Sequence, residues 1–112
     1  MATDNAVFES IMRSLCLAGE VRAKKMMGEY VIYFREKVIG DICDNRLLIK
    51  QTPASVRLLP GAKLDYPYEG SKTLMLVIDN YNDTALMYEL FNSMYDELPE
   101  KKTAKKNRKK AL

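Results

Sequence analysis

Apolar positions change their period along this chain. Val7, Phe8, Ile11, Met12 and Leu15 recur every three to four positions, which predicts an amphipathic helix over residues 4–18. Thr3 or Asp4 can cap its start and Gly19 suits its end. From residue 30 the period falls to two. Residues 30–34, 37–43 and 46–50 are runs rich in β-branched and aromatic side chains, separated by Arg35-Glu36 and Asp44-Asn45. Two-residue gaps between such runs predict tight hairpins and an antiparallel meander. Asp-Asn tolerates positive φ, so the second turn is chemically better than the first. Val21-Arg22-Ala23-Lys24 is a candidate for an extra edge strand, with charged side chains that discourage pairing to other chains.

The turns imply a register. Phe34 opposite Lys37 places Tyr33 opposite Val38 and Val31 opposite Gly40. Cys43 opposite Arg46 places Ile42 opposite Leu47 and Gly40 opposite Ile49. With strict alternation, Val31, Tyr33, Val38, Gly40, Ile42, Leu47 and Ile49 form the core face. Ile32, Phe34, Ile39 and Leu48 then fall on the opposite face, which is too apolar to stand free in water. Two coverings are open. One is a second copy of the chain, a two-fold homodimer packed through Ile32, Phe34, Ile39 and Leu48. The other is the segment over residues 53–59, or the loop around Tyr66 and Tyr68.

Beyond the meander, Thr52-Pro53 is a good helix start, and Pro60-Gly61 closes a short helix over residues 54–59. Residues 61–72 read as irregular. Residues 73–78 form an apolar strand. Leu86, Met87, Leu90, Phe91, Met94, Tyr95 and Leu98 make the cleanest helical stripe, closed by Pro99. The expected fold is therefore α+β. A single antiparallel sheet of four or five strands, in the order α-β-β-β-α-β-α, carries the N- and C-terminal helices on one face.

Composition adjusts this picture in one respect. The chain of 112 residues has a net charge of +3, which suits one domain. From Glu100 onward, however, seven Lys/Arg stand against one acid, so residues 1–99 carry −3 and the remainder +6. The reading is an acidic globular domain over residues 1–99 and a disordered basic tail over residues 100–112. Lys101, Lys102, Lys105, Lys106, Arg108, Lys109 and Lys110 are its candidate nucleic-acid contacts, through phosphate neutralisation. No aromatic residue interleaves with them to stack on bases, and a solubilising role is the competing reading. No apolar run is long enough for a membrane span. With no secretory signal at the N-terminus, Cys16 and Cys43 read as free thiols, and the expected compartment is the cytoplasm.

Candidate catalytic chemistry is sparse. The chain has no histidine, so the usual neutral-pH base is missing. Its serines sit in no nucleophile motif, its two cysteines lack metal-ligand spacing, and its glycines form no phosphate loop. Asp41, Asp44 and Glu29 can be read as a carboxylate cluster, but Asp44 suits a turn. Cys43 has no base to activate it. No cofactor or metal is called for, and the expectation is a non-enzymatic chain.

Several short motifs, in order, resemble the N-terminal domain of the TfoX (Sxy) competence-regulator family. They are Met26-Met27-Gly28-Glu29-Tyr30, Lys37-Val38-Ile39-Gly40, Ile42-Cys43-Asp44-Asn45-Arg46-Leu47, Lys50 with Thr52-Pro53, and Tyr66-Pro67-Tyr68-Glu69-Gly70. The resemblance covers nearly all of residues 4–99. It looks like a stand-alone copy, without the C-terminal helical domain that such regulators carry. What it implies is an α+β fold and a regulatory or interaction role with a protein partner in transcription regulation. It supplies no catalytic residue.

Overall fold

The computed structural model describes residues 3–26 and 29–99. The described elements are α1 (Asn5–Ala18), β1 (Val21–Met26), β2 (Glu29–Phe34), β3 (Lys37–Cys43), β4 (Arg46–Ile49), α2 (Pro53–Leu58), β5 (Lys63–Asp65), β6 (Met75–Ile78) and α3 (Thr84–Tyr95). The fold is α+β with one antiparallel sheet, ordered β1-β2-β3-β4-β6-β5. It has six strands where four or five were expected. The candidate edge strand is β1. The second addition, β5, has only three residues within the stretch read as irregular, too few for a period to show. Among the described residues, no helix is long and apolar enough to cross a membrane.

Both meander turns take the left-handed conformation that two-residue hairpins favour. Arg35 and Glu36 have φ of 49° and 69°, and Asp44 and Asn45 have φ of 54° and 62°. Asp-Asn suits this intrinsically. Arg-Glu does not, and tertiary contacts hold it. The Arg35 N–H donates to the Glu20 carbonyl at 3.0 Å. The Arg35 guanidinium lies 5.1 Å from the Phe34 ring centroid, and Glu36 pairs with Arg22 at 2.8 Å.

The expected pairing holds next to each turn: Phe34 faces Lys37, Tyr33 faces Val38, Cys43 faces Arg46 and Ile42 faces Leu47. It then slips. Ile32 faces Gly40, not Ile39. Ile39 is an extra residue in β3, a β-bulge, and it reverses the sides on which the two ends of the hairpin present their residues. Ile32 and Phe34 therefore join Ile42, Leu47 and Ile49 on the core face, and Ile39 is buried with them. Val31, Tyr33 and Val38, expected in the core, lie on the other face and are half-buried.

Residues from all three helices enter the cluster on that core face: Ile11 and Leu15 from α1, Ala54 from α2, and Met87, Leu90, Phe91 and Met94 from α3. Each large side chain buried this way contributes roughly 1.5–3 kcal/mol. Phe8 stacks on Tyr30 with ring centroids 3.8 Å apart, and Phe34 meets Phe91 at 5.5 Å. The helix ends are also tied down. Asp4 caps α1, Thr52 and Ser55 form a capping box on α2, and Asp83 caps α3. The Glu97 carboxylate accepts from the Ala54 N–H at 3.1 Å. At the far end of α3, buried Lys37 donates to the Tyr95 carbonyl at 3.0 Å, where a cation is favoured by the helix dipole.

The bulge has a strict steric requirement at Gly40. A Cβ placed there would overlap the Leu48 carbonyl oxygen and sit 3.2 Å from the Ile49 Cα. Backbone cannot yield as a flexible side chain can, so Gly40→Ala is expected to lose about 2–3 kcal/mol. Thermal unfolding should show a melting temperature lower by roughly 10 °C or more. Gly61, whose added Cβ meets nothing within 4 Å, is the control. Gly61→Ala should leave stability unchanged or slightly raised.

Candidate functional site

The second sheet face carries no helix, and the loop between β5 and β6 crosses only part of it. Arg46 pins the start of that loop. Its Nη1 pairs with Asp65 Oδ2 at 2.9 Å, and its Nη2 donates to the carbonyls of Tyr66 at 3.2 Å and Pro67 at 3.3 Å. Gln51 Nε2 donates to the Leu74 carbonyl at 3.0 Å and holds the other end. Buried below are Cys43, Leu48 and Met75, a small second cluster with Val77 against it.

The four residues expected to make a self-association patch are thus all withdrawn from the surface. Ile32, Phe34 and Ile39 belong to the main core, and Leu48 lies in the small cluster. The bulge is the reason for the first three, and the crossing loop agrees with the covering expected around Tyr66 and Tyr68. The segment over residues 53–59 covers the opposite face instead. The candidate nucleic-acid contacts, Lys101, Lys102, Lys105, Lys106, Arg108, Lys109 and Lys110, lie outside the described residues.

Where the loop stops, a cleft of about 480 Å³ opens. It is lined by Met26 of β1, Glu29, Tyr30 and Val31 of β2, Asp41 and Cys43 of β3, and Tyr68 and Glu69 of the loop. The lining is mostly apolar, and the volume lies within the roughly 300–1,000 Å³ of small-ligand pockets. Tyr68 is 59% exposed at its rim.

The acids around this cleft have different fates. Both Glu29 oxygens are committed: Oε1 accepts from the Thr3 N–H at 3.1 Å and hydroxyl at 2.6 Å, and Oε2 from the Asp44 N–H at 2.9 Å. Asp44 is a turn residue. Asp41 differs from both, because among the described residues no group donates a hydrogen bond to its carboxylate. Burial pushes its carboxyl above the usual aspartate value, against the opposing pull of Lys50. Lys50 stands on the same face, and burial lowers its ammonium in turn. The possible Asp41, Asp44 and Glu29 cluster is thus divided by role: Glu29 anchors the turn that Asp44 belongs to, and of the three only Asp41 is half-buried with no described donor.

Cys43 is held as a neutral thiol. Burial first, and then the neighbouring charges of Asp41 and Glu29, push it up to about 12. Cys16 is exposed on α1. Among the described residues, no three His, Cys, Asp or Glu side chains are placed to hold a metal ion. The cleft thus combines a mostly apolar lining, the Asp41 and Glu69 carboxylates without a described donor, and an exposed tyrosine at the rim.

Sequence comparison adds one relative. The "uncharacterized 12.7 kDa protein in trpE 5′ region" of Spirochaeta aurantia is 31% identical over 105 residues, spanning 94% of this chain and 91% of its own length. The chain belongs to that protein's family. No family model matches the chain, and no solved structure matches it.

Sequence reasoning singled out Glu29, Asp41 and Cys43 and placed Tyr68 in a loop over this face, but gave Met26, Glu69 and Lys50 no part in a site. The loop residues reach the cleft only because Arg46 holds Tyr66 and Pro67 about twenty positions further on, and no local pattern encodes such a bridge.

Two measurements test the electrostatics of the cleft. A raised aspartate contributes its full stability below the ordinary value of 3.8 and loses it as pH climbs through the raised value. Ionised Asp41 thus opposes folding at neutral pH. Asp41→Asn should raise the melting temperature at pH 7, and the gain should vanish below about pH 4. With Cys43 buried and neutral, a thiol reagent at pH 7 should label Cys16 in the native protein, and Cys43 only on unfolding.

Proposed function

We propose that this chain is a non-enzymatic interaction module of regulatory type, which presents its helix-free sheet face to a protein partner. The observation that carries the reading is the one-sided packing: three helices close one face, and the other keeps half-buried Val31, Tyr33 and Val38 beside an open cleft. A second feature points the same way. Asp41 is held where its charge opposes folding, and residues that weaken a fold in this manner gather at functional sites. The neutral Cys43 thiol supplies no nucleophile to argue for covalent catalysis. The resemblance to the TfoX N-terminal domain suggests a partner in transcription regulation.

A photo-crosslinking amino acid placed at Tyr68, beside the cleft, should capture a discrete partner in the native cell. The same group at Leu17, 72% exposed on α1, should not. Capture from position 17 alone, or from neither position, sinks the reading.

A further inference from the structure

The cleft has a chemical preference that narrows the kind of partner. Its lining is mostly apolar and includes Val31, Cys43 and the exposed Met26. Its polar complement is acidic, because Glu29 has both oxygens engaged within the protein while Asp41 and Glu69 line the cleft with carboxylates that no described donor satisfies. The Tyr68 ring stands exposed at the rim. We propose that this cleft receives an arginine or lysine side chain, presented by an extended segment of the protein partner. The proposal rests on the interaction-module reading and names the residue type that reading leaves open.

Three physical arguments converge on a cation. A half-buried carboxylate without donors gains more from a charged N–H than a solvated one does, since its water has already been removed. An aromatic ring at the mouth adds attraction for a guanidinium or ammonium passing over its face. The aliphatic stem of Arg or Lys matches the apolar walls, so one long side chain satisfies walls and acid together. An anionic or a purely apolar side chain would leave Asp41 repelled or unpaired. Lys50, on the same face, offsets the desolvation of Asp41 only in part, and among the described residues no hydrogen bond joins the two.

The test uses the full chain, labelled with ¹⁵N, and a short peptide, acetyl-Gly-Ala-Arg-Ala-Gly-amide. Its twin carries citrulline, which keeps the shape of arginine and loses the charge. Saturable shifts are expected at Val31, Asp41, Cys43 and Glu69 with the arginine peptide, and binding about tenfold weaker or more with citrulline. Asp41→Asn should weaken arginine binding by a similar factor without lowering the melting temperature. Glu69→Gln, at an exposed rim position, should weaken it less. Equal binding of both peptides, shifts confined to the helical face, or no saturable shift overturns the proposal. So do cleft signals that move on dilution, which indicate a second copy. Cleft signals that move with salt and no peptide indicate the chain's own lysine-rich run there, and they also overturn the assignment. A partner crosslinked from position 68 alongside a failed arginine peptide would remove only the cation, whereas a failed crosslink removes the module reading itself.

Discussion

The packing of this protein depends on one extra residue. Ile39 bulges from β3 and allows Gly40 to lie against the backbone of β4. Below the bulge, Gly40 and Ile42 face the same way as Leu47 and Ile49. Above it, Phe34 and Lys37 face that way too. Without the bulge, strict alternation would turn Ile32 and Phe34 away from α3, and the contact of Phe34 with Phe91 could not form. Lys37 would also lose its position under the end of α3. A single backbone irregularity thus aligns both halves of a hairpin with one core.

That dependence explains where the sequence was legible. Periods of 3.6 and 2.0 located α1, the meander, β6 and α3, because each element has an apolar face long enough to repeat. Turn chemistry fixed the pairing at Asp44-Asn45, and the register of β3 with β4 followed without error. The same logic failed on β2, since a slip of one residue reverses every side chain. A hint was present. Four strongly apolar residues fell on a face with no evident cover, and a glycine inside a strand often marks a bulge. The two observations together would have argued for the slip.

The short motifs of the meander and its flanks largely do structural work in this chain. Glu29 joins Thr3, ahead of α1, to the Asp44 N–H in the second turn. Asn45 accepts from the Asp4 N–H at 2.8 Å, and its own N–H donates to the Thr3 hydroxyl at 3.2 Å. One small network therefore fastens the start of the chain, β2 and the β3–β4 hairpin together. Thr52-Pro53 opens α2, Gly40 seats the bulge, and Arg46 holds the crossing loop. Residues committed in this way serve the fold first. Functional differences within that fold belong to positions the network leaves free.

Asp41 is such a position. It lies between two regions with opposite solutions for buried polarity. On the core face, buried Lys37 is satisfied by a helix end; at the cleft rim, both Glu29 oxygens are satisfied by backbone and hydroxyl donors. Asp41 has neither remedy, and the Lys50 charge only partly offsets its desolvation. An asparagine would keep the shape and remove the penalty, so folding alone gives no reason for an acid there. The neighbouring surface does give one. With three helices closing the opposite face and Arg46 halting the loop short of the edge, Asp41 is left beside an opening that an incoming donor can reach. The energetic defect and the uncovered surface coincide, and a ligand that repairs the first must occupy the second.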